Sequence, residues 1–424
     1  MIHHLSSSKT MFPCILLLLF NFSPLNRAAA DNNVSQYRHL LSYNDDPLAT
    51  EPWLEFENSR LKNAYIALQS WKESILSDPT NITANWVGPD PCNYTGVFCW
   101  PAPDNNCERT VAGIDINHAD IAGHLPHELG LLFDLAIFHI NSNRFCGPLP
   151  ESLTNLKLLH ELDLSNNHFA GPFPKLLLQF RNLKYLDIRY NEFEGEIPSG
   201  LFDKHFDAIF VNDNRFSSAL PENIGNSPVS VVVMANNKFG GCLPASLGNM
   251  GPTLHELVLT NNGLSSCFPW EIGRLTNLTV LDVSRNKMVG PLPESIGNMG
   301  SLEQLNLGGN MMSGEISTKI CRLPNLRNFD YGDNYFTDED TVCLKLPEFD
   351  DTMNCFRGRP NQKPEMQCRR FLSKGVNCSS FGCAAASTYS PPPPPETGGT
   401  PATRVEPPVC TAPLCPCLKP PPMP

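Results

Sequence analysis

The sequence predicts an α/β solenoid of about ten turns of 23–25 residues with a parallel sheet along its concave side, and three observations predict it. Asparagines recur at positions 143, 167, 191, 214, 237, 262, 286, 310 and 334, spaced 23 to 25 residues apart. One apolar frame surrounds each of them. It reads Leu159, Leu162, Leu164, Asn167, Phe169, Gly171, Pro174 in one unit and Leu183, Leu186, Ile188, Asn191, Phe193, Gly195, Pro198 in the next. Charged residues make up only 17 % of the chain, against a usual ~25 %, and apolar residues 41 %, so most of the chain is expected to fold.

Each position of the frame has a physical role. Alternating apolar residues form a short strand, and strands of successive turns stack into one parallel sheet. The asparagine sits where the chain leaves the strand, and its amide can satisfy backbone groups of neighbouring turns that would be costly to bury unpaired. Glycine permits the following bend, and proline stiffens the convex side. A first unit with Val111, Ile114, Ile116, Ile121, Gly123 and Pro126 carries Ala119 in place of the asparagine, and the last unit lacks the glycine and proline. The repeats therefore span residues 111–338. This is the frame of a leucine-rich-repeat solenoid, in which no unit buries its apolar face alone and both ends need caps.

The flanks supply those caps. Residues 1–30 read as a signal peptide, with Lys9 before an apolar run from Met11 to Phe20 and Ala28–Ala30 at the cleavage site. Residues 31–110 form the N-terminal cap. Within it, Ser59–Ser77 carries Leu61, Tyr65, Leu68, Trp71 and Leu76 at helical spacing, and a Cys92–Cys99 bridge would close a short loop. Residues 339–389 form a cysteine-rich hinge in which Cys355, Cys368, Cys378 and Cys383 are expected to staple the segment. Residues 390–424 begin with Ser390 and Pro391–Pro395 and read as an extended polyproline arm.

Sixteen cysteines indicate an oxidising compartment. Cys242 and Cys267 each lie five residues after a repeat asparagine, so adjacent turns would bring them within disulfide reach of one another. Cys107 with Cys146, and Cys321 with Cys343, are further pairs expected from proximity. Cleavage of the leader removes Cys14 and leaves fifteen, an odd number, so at least one thiol is free or pairs between chains, the second case giving a homodimer. Sequons at Asn33, Asn81, Asn93, Asn277 and Asn377 are candidate glycosylation sites.

Forty-three acidic against 31 basic residues, a net charge of −12, argue against a nucleic-acid partner. No segment after the leader is long and apolar enough to span a membrane. His127, His160 and His255 each precede a glutamate but lack the second histidine of a zinc-protease helix, and no nucleophile or phosphate-loop motif occurs, so no enzyme, cofactor or metal is expected. The outward position of each strand is more informative. It reads Asp115, His139, Asp163, Asp187, Phe210, Val233, Val258, Asp282, Asn306 and Asp330 along the solenoid. Phe210, Val233 and Val258 are apolar where polar residues belong, and Asp163, Asp187, Asp213 and Asp282 flank them. That pattern suggests a concave site for a basic, partly apolar peptide.

Several motifs then resemble the plant leucine-rich repeat extensins. They are Asn85–Cys92 (NWVGPDPC) with Gly96–Cys99, Asn117–Gly123, Asn141–Pro150, Leu346–Cys355 (LPEFDDTMNC), Gly358-Arg359-Pro360 with Cys368, and the serine-then-prolines unit Ser390–Pro395. The resemblance covers roughly residues 45–383. It implies a non-enzymatic cell-wall protein, often homodimeric, that binds basic, cysteine-rich rapid alkalinisation factor peptides through its repeats and acts in wall assembly and growth. It also makes wall polysaccharide such as pectin, and other wall proteins, candidate partners. The family's tail is a long array of serine–proline units, whereas this chain carries one complete unit. A secreted inhibitor of pectin-degrading enzymes, also built from about ten such repeats, is the alternative. The long hinge and proline tail speak against it.

Overall fold

A computed structural model describes residues 54–381 and 383. The expected leader, the sequon at Asn33 and the proline-rich tail lie outside the described residues. A 12-stranded sheet runs the length of the solenoid. It begins with the antiparallel cap strands Val97–Ala102 and Asn105–Asp115 and continues in parallel, one three-residue strand per turn, from Ile137–His139 to Glu348–Asp350. On the convex side, short 3₁₀ turns follow Pro126, Pro150, Pro174, Pro198, Pro244, Pro269 and Pro293. The fixed φ of proline starts each one. Lateral strands such as His168–Pro172 and Glu192–Gly195 pair along one side.

The asparagine ladder is built as the sequence implies. Asn191 donates from Nδ2 to the carbonyls of Leu164, Ile188 and Arg189, and its Oδ1 accepts the N–H of Phe169. Inside the turns, Phe169, Phe193, Phe216 and Phe239 stack with centroids 6.2–6.4 Å apart. At the amino-terminal end Trp71 packs against Phe138 and Phe145, so the cap helix closes this column. That helix ends at Ser74 rather than Ser77. Leu76 lies in the following strand and is exposed, not part of the buried face.

Three further expectations change at the other end. The repeats do not stop at 338, because Glu348–Asp350 adds one more strand in register with Asn328–Asp330. Asn354 serves as its ladder residue, donating to Tyr331, Asp351 and Thr352 and accepting from the Phe336 N–H. Second, Cys242 and Cys267 do not pair. Cys242 bonds Cys383 and Cys267 bonds Cys378, with Cα separations of 5.7 and 5.5 Å. Third, the hinge therefore staples only Cys355 to Cys368 within itself.

After the helix Glu365–Leu372, whose Phe371 stacks on Tyr335, the chain runs back beside the lateral strands and is latched to two central turns. Equivalent positions in adjacent turns are close enough to bond. The returning segment places a partner against each, and Gly290 leaves the space: a Cβ there would lie 2.7 Å from Cys267 Sγ. Cys92–Cys99 and Cys321–Cys343 form as expected. Cys107 and Cys146 are each disulfide-bonded, so all twelve cysteines among the described residues are engaged.

Candidate functional site

The latch lies along the lateral side, and the concave sheet stays open. Two outward columns run along that sheet. In strand register the first reads Glu161, Tyr185, Ala208, Val231, Glu256, Val280 and the second Asp163, Asp187, Phe210, Val233, Val258, Asp282. Side chains alternate across a strand, so Leu186, Ile209, Val232, Leu257 and Leu281 point into the core while these columns face out. The structure thus assembles Phe210, Val233 and Val258 into one patch. It widens the patch with Tyr185, Ala208, Val231 and Val280, all partly exposed. Tyr185 and Phe210 are in ring contact with centroids 5.6 Å apart.

The acids divide by role. Asp163 is half-buried and accepts from the Ser165 N–H and hydroxyl. Asp282 accepts from the Ser284 N–H and from Asn306 Nδ2. Asp213 lies on the loop beyond the strand, where Asn212 and Asn236 donate to it. Asp187 departs from the expected rim of exposed acids, because its side chain has no exposed surface. It accepts the Tyr185 hydroxyl and the Arg189 N–H, and the Arg189 guanidinium lies 3.0 Å away. Burial, reinforced by neighbouring Asp163, raises its pKa to about 7, against the opposing pull of Arg189. The guanidinium continues over the Phe210 ring at 5.1 Å. Tyr185 and Asp187 alternate on the strand Tyr185–Asp187 and Arg189 follows at the next outward position beyond its end, and that alternation was the available signal that they share a face.

Tyr190 was not singled out in the sequence either. It takes a left-handed backbone (φ 51) where the corresponding positions of neighbouring turns hold Asn166, Asp213 and Asn236, and it is 52 % exposed. A bulky residue there is strained, and such strain concentrates at binding sites. Further along, Asp330 and Asp350 continue the acidic column, with burial holding the Asp330 carboxyl above its ordinary range. Asn81, Asn93 and Asn277 lie exposed on the cap and convex side, away from the open sheet. Among the described residues no cluster of metal-ligating side chains occurs, and no helix is long and apolar enough to cross a membrane.

Known proteins match this chain along most of its length. Residues 252–312 match a leucine rich repeat family, residues 62–100 a leucine rich repeat N-terminal domain, and residues 158–180 and 182–203 a second leucine rich repeat family. Leucine-rich repeat extensin-like protein 7 of Arabidopsis thaliana is 66 % identical over 355 residues, 84 % of this chain and 82 % of that protein. Leucine-rich repeat extensin-like protein 6 of the same plant is 59 % identical over 81 % of this chain and 73 % of its own. Among solved structures, the Arabidopsis receptor kinase HAESA, in complex with the peptide hormone IDA and a co-receptor, superposes with a TM-score of 0.56. It is 25 % identical, and the match covers 69 % of this chain and 54 % of that one. A TDR receptor gives the same TM-score at 27 % identity, covering 58 % of this chain and 44 % of its own.

Proposed function

The chain belongs to the leucine-rich repeat extensin-like proteins, and we propose that it is a secreted, non-enzymatic cell-wall protein whose concave face binds a basic, cysteine-rich signalling peptide of the rapid alkalinisation factor type. One observation carries this reading: the apolar patch centred on Phe210, Val233 and Val258 lies open on a rigid sheet, bordered by Asp163 and Glu161 on one side and Asp282 and Glu256 on the other. Apolar side chains of a ligand would be anchored on the patch, and its cationic groups would be steered and held by the acids. The same charge works against direct capture of a polyanionic pectin on this face. The HAESA complex shows that a repeat domain of this kind holds a peptide hormone in a related plant receptor, which supports the reading by analogy.

Wall assembly and growth would follow from such binding. Dimerisation through a cysteine would have to use one of the cysteines outside the described residues, because the twelve within them are all bonded. Titrating a synthetic rapid alkalinisation factor peptide into the secreted protein is expected to give saturable binding that weakens as salt rises. Absence of binding, with inhibition of an endopolygalacturonase instead, would replace this reading with that of a pectinase inhibitor.

A further inference from the structure

Arg189 is an exception on a face otherwise suited to cations. Across the outward positions of the strands from Ile137–His139 to Glu348–Asp350, and the next outward position after each, it is the one lysine or arginine. It is also held firmly. Buried Asp187 pairs with its Nε, its guanidinium plane rests on Phe210, and the backbone on both sides is tied into the ladder. Among the described residues its two terminal Nη groups make no hydrogen bond, and the side chain is 37 % exposed. One turn along, the Oδ1 of buried Asn212 also lacks a partner. A guanidinium fork aimed outward, stiffened from behind and set at the edge of an apolar patch has the geometry for bidentate recognition of a carboxylate.

We propose that Arg189 receives a carboxylate of the bound peptide, either a side chain or the chain terminus, while the neighbouring apolar residue of that peptide sits on Phe210, Val233 and Val258. This rests on the concave-face reading above and adds a specificity to it. The ligand is cationic overall but carries an acid next to an apolar residue, and a purely basic peptide is discriminated against. Asp187 is a positioning residue in this scheme, since it fixes the fork without reaching the ligand.

A double-mutant cycle tests it. The probes are a synthetic rapid alkalinisation factor peptide and its carboxylate-free form, with Asp and Glu replaced by Asn and Gln and the C-terminus amidated. Each is titrated into the wild type, Arg189→Gln and Arg189→Lys. The wild type should bind the carboxylate-free form about 10- to 100-fold more weakly, and Arg189→Gln should bind both forms alike. Arg189→Lys keeps a charge beside Asp187 but lacks the fork, and should lose about tenfold toward the unmodified peptide alone. If the unmodified peptide binds the wild type while removal of its carboxylates costs Arg189→Gln as much as the wild type, the Arg189 assignment is overturned and the concave-face reading stands. If the unmodified peptide does not bind the wild type at all, both are overturned.

Discussion

Replacing Asp187 with asparagine tests whether a buried acid, rather than an ion pair, organises the centre of the concave face. Two forces oppose each other at this carboxyl. Loss of water and the nearby charge of Asp163 favour the protonated form, while Arg189 and the Arg189 N–H favour the ionised form. The first pair wins, taking the pKa from an ordinary 3.8 to about 7. Between those values the folded protein holds a proton that the unfolded chain releases. The stability linked to this group is therefore fully present below about pH 4 and is lost as pH rises through 7. A displacement of that size corresponds to roughly 4 kcal/mol. Asparagine keeps the size and can still accept the Arg189 N–H on its single oxygen, with its Nδ2 facing the Tyr185 oxygen, yet never carries a charge. Urea unfolding followed by circular dichroism, from about pH 4 to about pH 8 with disulfides intact, gives the difference between the two proteins. Relative to wild type, Asp187→Asn should gain stability across the window, by a few kcal/mol at its upper end. If the variant instead falls progressively behind as pH rises, the pair with Arg189 dominates and the reasoning is wrong.

Two other expectations concern the scaffold. Asn191→Ala orphans the buried Phe169 N–H and takes one of two donors from the Leu164, Ile188 and Arg189 carbonyls, and should lower stability by roughly 2–4 kcal/mol in chemical denaturation; a loss under about 1 kcal/mol would mean that the ladder is incidental. The double substitution Cys378→Ser with Cys383→Ser should release the returning segment without melting the repeats. After trypsin cleavage at Arg370 or Lys374 and non-reducing mass spectrometry, the wild type should retain the fragment and the variant lose it. Retention in the variant would show that packing, not the two bridges, holds the segment.

The repeats were legible because each turn spells its own frame: the apolar alternation, the asparagine and the proline are all local and recur every 24 residues or so. The concave columns followed directly, since alternation alone assigns Phe210, Val233 and Val258 to the outward face. The last turn was missed because Asn354 follows Asn334 by 20 residues rather than 23 to 25, and although Phe356 and Gly358 keep the spacing of the frame, its proline is displaced, with Pro360 one residue early. The pairing of Cys242 and Cys267 was misread for a different reason. Position within the frame shows which residues are neighbours in adjacent turns, but not that a segment more than a hundred residues later returns to compete for both. Asp187 was assigned to the outward column but its burial was not foreseen, because that burial depends on Tyr185 of the same strand and Arg189 just beyond it folding over the carboxylate.

The central claim is that the ligand binds on the apolar patch of the concave sheet. Titration of a rapid alkalinisation factor peptide into Phe210→Asp and Val233→Asp tests it most directly, with circular dichroism confirming the fold and Lys287→Asp on the lateral side as control. Both patch substitutions place a charge on a partly exposed surface, so the fold should survive while affinity falls by about 100-fold or more, and the control should change it little. Unchanged affinity in both patch variants would contradict the account and move the binding site elsewhere on the molecule.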